Sequence, residues 1–256
     1  MYIDTHCHLH DAKLSDTDAV VAEFINSGVT TTINMGCCAA TSIQGKILSE
    51  KYPSVYFASG CHPSDIDGFD QAEEDKIFSL TSHEKCVAIG EIGLDYYWKP
   101  FDKEKQKAGF IRQIELAKQA KLPICIHSRD ATGDMLELLK SNRDKLTYGG
   151  VMHCFSGSVE TAAELLKLGL YVSFAGPLTF KNARQLLDVA KYVPIDMCLT
   201  ETDSPYLAPH PLRGTVNTPK NIPIILACLA QLKCVDNVEL AAQIKLNAKR
   251  LFTKLK

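Results

Sequence analysis

Pro123-Ile124-Cys125-Ile126-His127-Ser128-Arg129-Asp130 passes from a proline through three apolar residues into a run of polar groups. The apolar part reads as a short buried strand, and its last residue is an imidazole. The segment before it, Lys103 to Lys121, sets Phe110, Ile114 and Ala117 on one stripe, the spacing of an amphipathic helix. The unit is a helix, a buried strand, and a polar strand end.

Outward from this stretch the unit recurs. Strands are expected at Tyr2 to Thr5, Thr30 to Met35, Val55 to Ser59, Val87 to Glu91, Ile124 to His127, Gly150 to His153, Tyr171 to Phe174 and Met197 to Thr202. Helical periods are expected at Asp18 to Asn26, Thr161 to Leu168 and Ala183 to Tyr192, and two more close the chain at Ile222 to Leu232 and Val238 to Leu255. Strands that alternate with helices imply a parallel sheet, because a parallel return needs a crossover. Eight such units predict an α/β fold, a single-domain (β/α)₈ TIM barrel over residues 1–256. No linker or low-complexity tract divides the chain. The loop from Ser204 to Pro223 is long and proline-rich, a common property of functional loops.

Composition narrows the function. Lys+Arg is 28 against Asp+Glu 30, a net charge of −2, which argues against a nonspecific basic coat for nucleic acid. No signal peptide or membrane span is visible, and there are ten cysteines without a C-x-x-C pair. Reduced thiols and a cytoplasmic location are the expectation.

A barrel carries its chemistry at the C-terminal ends of its strands. Six of the eight expected ends bear imidazole or carboxylate: His6 and His8, His62, Glu91, His127, His153, and Glu201 with Asp203. His6 and His8, two apart on an extended chain, point to the same side and can reach one cation. Histidine and carboxylate without thiolate suit zinc, manganese or a similar divalent ion. The competing explanation is structural. A buried histidine can be hydrogen-bonded core, and Glu91 or Asp203 can cap a helix or join an ion pair. His83, His10 and His210 are read that way.

The ordered landmarks Ile3-Asp4-Thr5-His6-Cys7-His8-Leu9, Gly60-Cys61-His62-Pro63 and Gly90-Glu91-Ile92-Gly93-Leu94-Asp95-Tyr96 open a longer series. It continues with Pro123 to Ala131, His153-Cys154-Phe155-Ser156-Gly157, Glu201-Thr202-Asp203-Ser204-Pro205-Tyr206 and Arg213-Gly214. Together they resemble the TatD family of metal-dependent deoxyribonucleases, among the amidohydrolase-like barrels. The resemblance implies that His6, His8, Glu91, His127, His153 and Asp203 hold two divalent metal ions (Mg, Mn or Zn), with Glu91 bridging. It implies a 3′–5′ exonuclease acting on single-stranded DNA ends. Asp203 would serve as proton acceptor and Glu201 as its neighbour ordering water or a ligand, while His62, Arg129 and Arg213 would bind phosphate. His10, Gly133 and Thr215 depart from the family pattern, the last at a usual lysine.

Two other functions stay open. The same barrel could hydrolyse a small ester, amide or phosphoester, since fold does not fix substrate. Relatives that need a carbamylated lysine on strand five are disfavoured, because His127 stands there. A metal-stabilised binding scaffold without turnover is the third. Tyr96, Tyr97, Trp98 and Phe155 are the aromatic groups near the site that could stack on bases.

Overall fold

The computed structural model describes residues 1–256. Eight strands follow one another around a single parallel sheet in sequence order: β1 (Tyr2–Cys7), β2 (Val29–Met35), β3 (Val55–Ser59), β4 (Cys86–Asp95), β5 (Ile124–Arg129), β6 (Gly150–Met152), β7 (Tyr171–Phe174) and β8 (Cys198–Thr200). The sheet closes on itself just beyond β8. The Asp203 N–H donates to the His6 carbonyl at 2.9 Å and the His8 N–H to the Ser204 carbonyl at 2.7 Å. Asp4 reinforces this seam, accepting from the Thr202 amide at 3.0 Å and the His6 amide at 3.2 Å. The expected (β/α)₈ barrel is the observed one.

Nine α-helices surround the strands: α1 (Thr17–Asn26), α2 (Ala39–Lys51), α3 (Gln71–Leu80), α4 (Lys103–Ala120), α5 (Thr132–Ser141), α6 (Val159–Lys167), α7 (Arg184–Tyr192), α8 (Ile222–Lys233) and α9 (Asn237–Leu251). Several starts are fixed by a side chain accepting from an otherwise unpaired amide. Asp16 accepts from Ala19, Asp70 from Glu73 and Asp102 from Lys105. α4 ends at Lys121, whose left-handed backbone (φ 58°) terminates the helix before β5 begins. Ala248 and Leu251 of α9 and Phe252 just after it join Ile3, Ile33 and Leu199 in one buried cluster. No helix is long and apolar enough to cross a membrane.

The structure adds to the expected elements. α2, α3 and α5 lie outside the expected helical periods. α2 buries Ala39, Ser42, Gly45 and Ser49, a small and partly polar face, so its period carries little hydrophobic contrast. α9 stops at Leu251, short of the expected Leu255. β4 runs four residues past its expected end at Glu91, and every residue of it is buried. Gly93 makes that extension possible. Its φ is +149°, and a Cβ there would lie 1.9 Å from the His127 carbonyl oxygen on β5. Only glycine lets β4 pass so close to β5, which sets Glu91 and Asp95 beside His127.

Candidate metal centre

The strand ends converge on one cleft of about 450 Å³, within the size range of small-ligand sites. His8, His62, Glu91, His127, Arg129, His153 and Asp203 line it. His6 lies just beneath, 1% exposed. At the centre is Glu91, almost wholly buried, with its two oxygens turned to different groups of donors. Oε2 faces His6 Nε2 at 3.3 Å and His8 Nε2 at 3.6 Å. Asp203 Oδ1 completes that group, 3.6 Å from His6 Nε2 and 3.4 Å from His8 Nε2. Oε1 faces His127 Nδ1 and His153 Nε2, both at 2.8 Å, and those nitrogens are 3.1 Å apart.

The donor spacing fits a cation. Ligands about 2.0–2.1 Å from a tetrahedral zinc ion stand about 3.4 Å from one another. His6 Nε2 and His8 Nε2 stand 3.3 Å apart, and each lies 3.3–3.6 Å from Glu91 Oε2 and from Asp203 Oδ1. Two imidazole nitrogens facing each other at that distance share at most one proton. A positive ion between them satisfies both lone pairs. The second group, Glu91, His127 and His153, likewise brings three donor atoms together. The residues present therefore fit a divalent cation.

Three of the four imidazoles have a partner on the nitrogen turned away from the donor group. His127 Nε2 is 2.9 Å from Asp95 Oδ2. His153 Nδ1 is 3.3 Å from Glu201 Oε1, which also accepts the Cys154 amide at 2.6 Å. His8 Nδ1 is 3.8 Å from the Cys37 thiol, and His6 Nδ1 is buried without a partner. Such contacts hold a ring's orientation and tautomer, leaving the inner nitrogen free to ligate. Asp95 does more. Its Oδ1 accepts the amides of Tyr97 and Trp98 at 2.9 and 3.2 Å, so one carboxylate fixes both a donor imidazole and the turn that carries the aromatic residues.

The field inside the cleft is strongly coupled. Burial alone would raise the Glu91 carboxyl, but the His153 and His6 rings around it outweigh burial and hold it well below the usual carboxylate range. Burial opposes a charge on His8, His127 and His153. Neighbouring side chains reverse the effect: Cys37 and Asp203 for His8, Asp95 and Glu91 for His127, Glu91 and Glu201 for His153. All three rings titrate above the ordinary imidazole value. His62 goes the other way, pushed down to about 4 by burial. Its Nδ1 accepts the Ser64 amide at 3.1 Å, so the neutral ring carries its proton on Nε2, 3.8 Å from Glu91 Oε1. His62 is thereby a neutral hydrogen-bond donor aimed at the centre.

Of the remaining expected site residues, Arg129 lines the cleft, its guanidinium 3.7 Å from the Tyr97 ring centroid and 5.4 Å from that of Trp98. Arg213 is not brought to the cleft. It stacks over Phe180 at 4.4 Å. Glu201 is fully buried behind His153 and away from the opening. Asp95 lies outside the expected site residues, four positions beyond the expected end of β4. Its only sequence signal was its place at the end of the Gly90-Glu91-Ile92-Gly93-Leu94 run.

Comparison with known proteins agrees with this architecture. The model of the family described as TatD related DNase matches residues 3–253. A Bacillus subtilis protein named as the metal-dependent hydrolase YabD is 44% identical, covering 98% of this chain and 99% of its own. Escherichia coli YcfH, also named a metal-dependent hydrolase, is 38% identical over 98% of this chain and 95% of its own. The crystal structure of YjjV, a TatD homologue from Escherichia coli, superposes with a TM-score of 0.93 at 29% identity and covers 98% of each chain. An organophosphorus hydrolase from Deinococcus radiodurans, covering 98% of this chain and 92% of its own, shares the barrel alone, at 15% identity and a TM-score of 0.63. The chain belongs to the TatD family of metal-dependent hydrolases.

Proposed function

We propose that this protein hydrolyses phosphodiester bonds at the ends of single-stranded DNA, as a 3′–5′ exonuclease using two divalent ions. The observation that carries the proposal is Glu91, one oxygen of which faces His6 and His8 and the other His127 and His153. The family description as a DNase supports DNA as the substrate. Ions held there supply the charge that polarises a phosphoryl oxygen and brings the pKa of water toward neutrality.

The chain's own groups do the rest. Asp203 stays ionised, since His8 and its neighbours outweigh burial and keep its carboxyl below the usual value. It takes the proton that the attacking water loses as the new P–O bond forms and the P–O bond to the departing sugar breaks. Glu201 acts through His153, holding that ring by Nδ1. The His62 Nε2–H donates to a non-bridging phosphoryl oxygen. Arg129, pre-ordered on Tyr97, meets the phosphate backbone with its planar fork. Trp98, 60% exposed beside the same cleft, offers a face for a base of the strand. Arg213 has no part in this scheme, since it lies on Phe180.

The test is metal reconstitution of the stripped protein with Mg, Mn or Zn, followed by incubation with single-stranded DNA labelled at its 5′ end. The expected result is metal-dependent shortening, one nucleotide at a time. No shortening with any metal, together with turnover of a small ester or amide, would transfer the site to that chemistry.

A further inference from the structure

A second cavity of about 170 Å³ lies beside the metal centre, between α5 and α6 and against the loops that follow β5 and β6. A cavity of about 150 Å³ accepts a benzene molecule. This one therefore has room for one six-membered ring and not for a nucleotide. Leu136, Phe155 and Leu165 give its wall apolar surface, while the Ser128 and Ser156 hydroxyls and the Asp130 carboxylate supply donors and acceptors. These three side chains form no hydrogen bond or ion pair with the rest of the chain; Ser128 is half-buried, and Asp130 and Ser156 are exposed at the rim. Gly157 keeps the wall in shape, since a Cβ there would lie 2.8 Å from the Phe155 ring.

His153 is the residue common to this cavity and the catalytic cleft. Its Nε2 faces Glu91, so the His153 ring lies between the cavity and the Glu91 side of the cleft. A ligand that suits the wall has an apolar flat face and a polar edge, and is tied to a phosphate by a short spacer. That is a nucleobase on its sugar phosphate.

We propose that this cavity receives the terminal base of the strand, with a pyrimidine as the best-fitting ring. The proposal rests on the nuclease reading of the cleft and adds a physical reason for removing one nucleotide at a time. The pocket holds one ring and no second.

The test is calorimetric binding to the metal-loaded protein of 2′-deoxycytidine 5′-monophosphate and of 2-deoxyribose 5-phosphate, which lacks the base. Base stacking and edge contacts are worth roughly tenfold in affinity or more, so the nucleotide binds at least that much tighter. Leu136→Trp fills the cavity and abolishes this difference, leaving affinity for the sugar phosphate nearly as it was. Thr161→Trp, on the α6 wall, does the same if Leu136→Trp does not fold. Equal affinity of the two ligands for the wild type, binding of neither, or an undiminished preference in a folded, filled variant overturns the proposal. Shortening of single-stranded DNA by the wild type is scored separately. A base preference without DNA shortening refutes the nuclease reading and keeps the base site, whereas shortening without a base preference does the opposite.

Discussion

Replacing Asp95 by asparagine should weaken one metal centre and spare the other. The carboxylate faces His127 Nε2 with one oxygen and the Tyr97 and Trp98 amides with the other. Asparagine has one acceptor end and one donor end, so it cannot serve both. If its carbonyl stays on the two amides, its NH₂ faces His127 Nε2, which must then accept. The ring proton moves to Nδ1, the atom 2.8 Å from Glu91 Oε1 and 3.1 Å from His153 Nε2, and a protonated nitrogen cannot ligate. If the carbonyl turns to His127, the NH₂ confronts two N–H donors. Loss of such an orienting partner costs about 10–100-fold in metal affinity, or about 1.4–2.7 kcal/mol. Titration of the metal-free protein against a chromophoric chelator should show two binding steps in the wild type. Only one should move in Asp95→Asn, with His6, His8 and Asp203 keeping their affinity. Equal weakening of both steps in a folded variant, or no change in either, would refute the orienting role.

Other expectations follow from the same geometry. His8, His127 and His153 hold protons above the ordinary imidazole value of 6.5 in the metal-free chain, and an ion must displace them. Loading near pH 7 should release about two to three protons per chain, measured by calorimetry in buffers of different ionisation heat. In the metal-free chain these raised groups stabilise the fold below the unfolded imidazole pKa, and that contribution is lost as pH rises through their folded values. Glu91 and Asp203 are depressed, so their contribution is present above the unfolded carboxyl pKa and lost as pH falls. Thermal melts across pH with and without metal separate these opposing slopes. Arg129→Ala should lower kcat/KM on single-stranded DNA by about 10–100-fold while metal content by elemental analysis stays the same. Gly93→Ala forces a Cβ to within 1.9 Å of the His127 carbonyl oxygen at a positive φ, so it should cost at least about 2 kcal/mol in chemical unfolding.

The barrel was legible because its strands read as short, largely apolar runs, and because an imidazole or carboxylate stands at the end of six of the eight. The same contrast located the donor residues. His6 and His127 stand in the C-terminal halves of β1 and β5, and His8 and His153 follow β1 and β6 directly, each where an apolar run gives way to polar residues. α2 escaped notice for the reverse reason. Its buried face is Ala39, Ser42, Gly45 and Ser49, where close approach to β3 is achieved by small size instead of apolar bulk. Arg213 shows the limit of charge as a signal. A cation in a long loop reads as a phosphate ligand, yet its place is decided by an aromatic ring from the β7–α7 segment.

The residues that hold the donors in place were harder to see, and the reason is register. A ligand is found by its own contrast with its neighbours in sequence. An orienting residue is defined by a contact across strands, which depends on how far each strand runs and how it is offset from the next. Asp95 reaches His127 because Gly93 pairs with His127 and draws the end of β4 alongside β5. Glu201 reaches His153 from one residue beyond β8, across the barrel mouth. Both residues stand in sequence landmarks, but neither contact they make follows from a local period. Asp95 and Glu201 also differ in what else they hold, the first a cleft-lining loop and the second a buried amide of the β6 loop. A disturbance at Asp95 therefore reaches both His127 and the Tyr97-Trp98 face where a strand would lie. One at Glu201 reaches His153 and the wall of the neighbouring cavity. The candidate donors meet at Glu91, but their supports lead outward to separate surfaces, so a contact made on either surface would reach the donors through a single carboxylate.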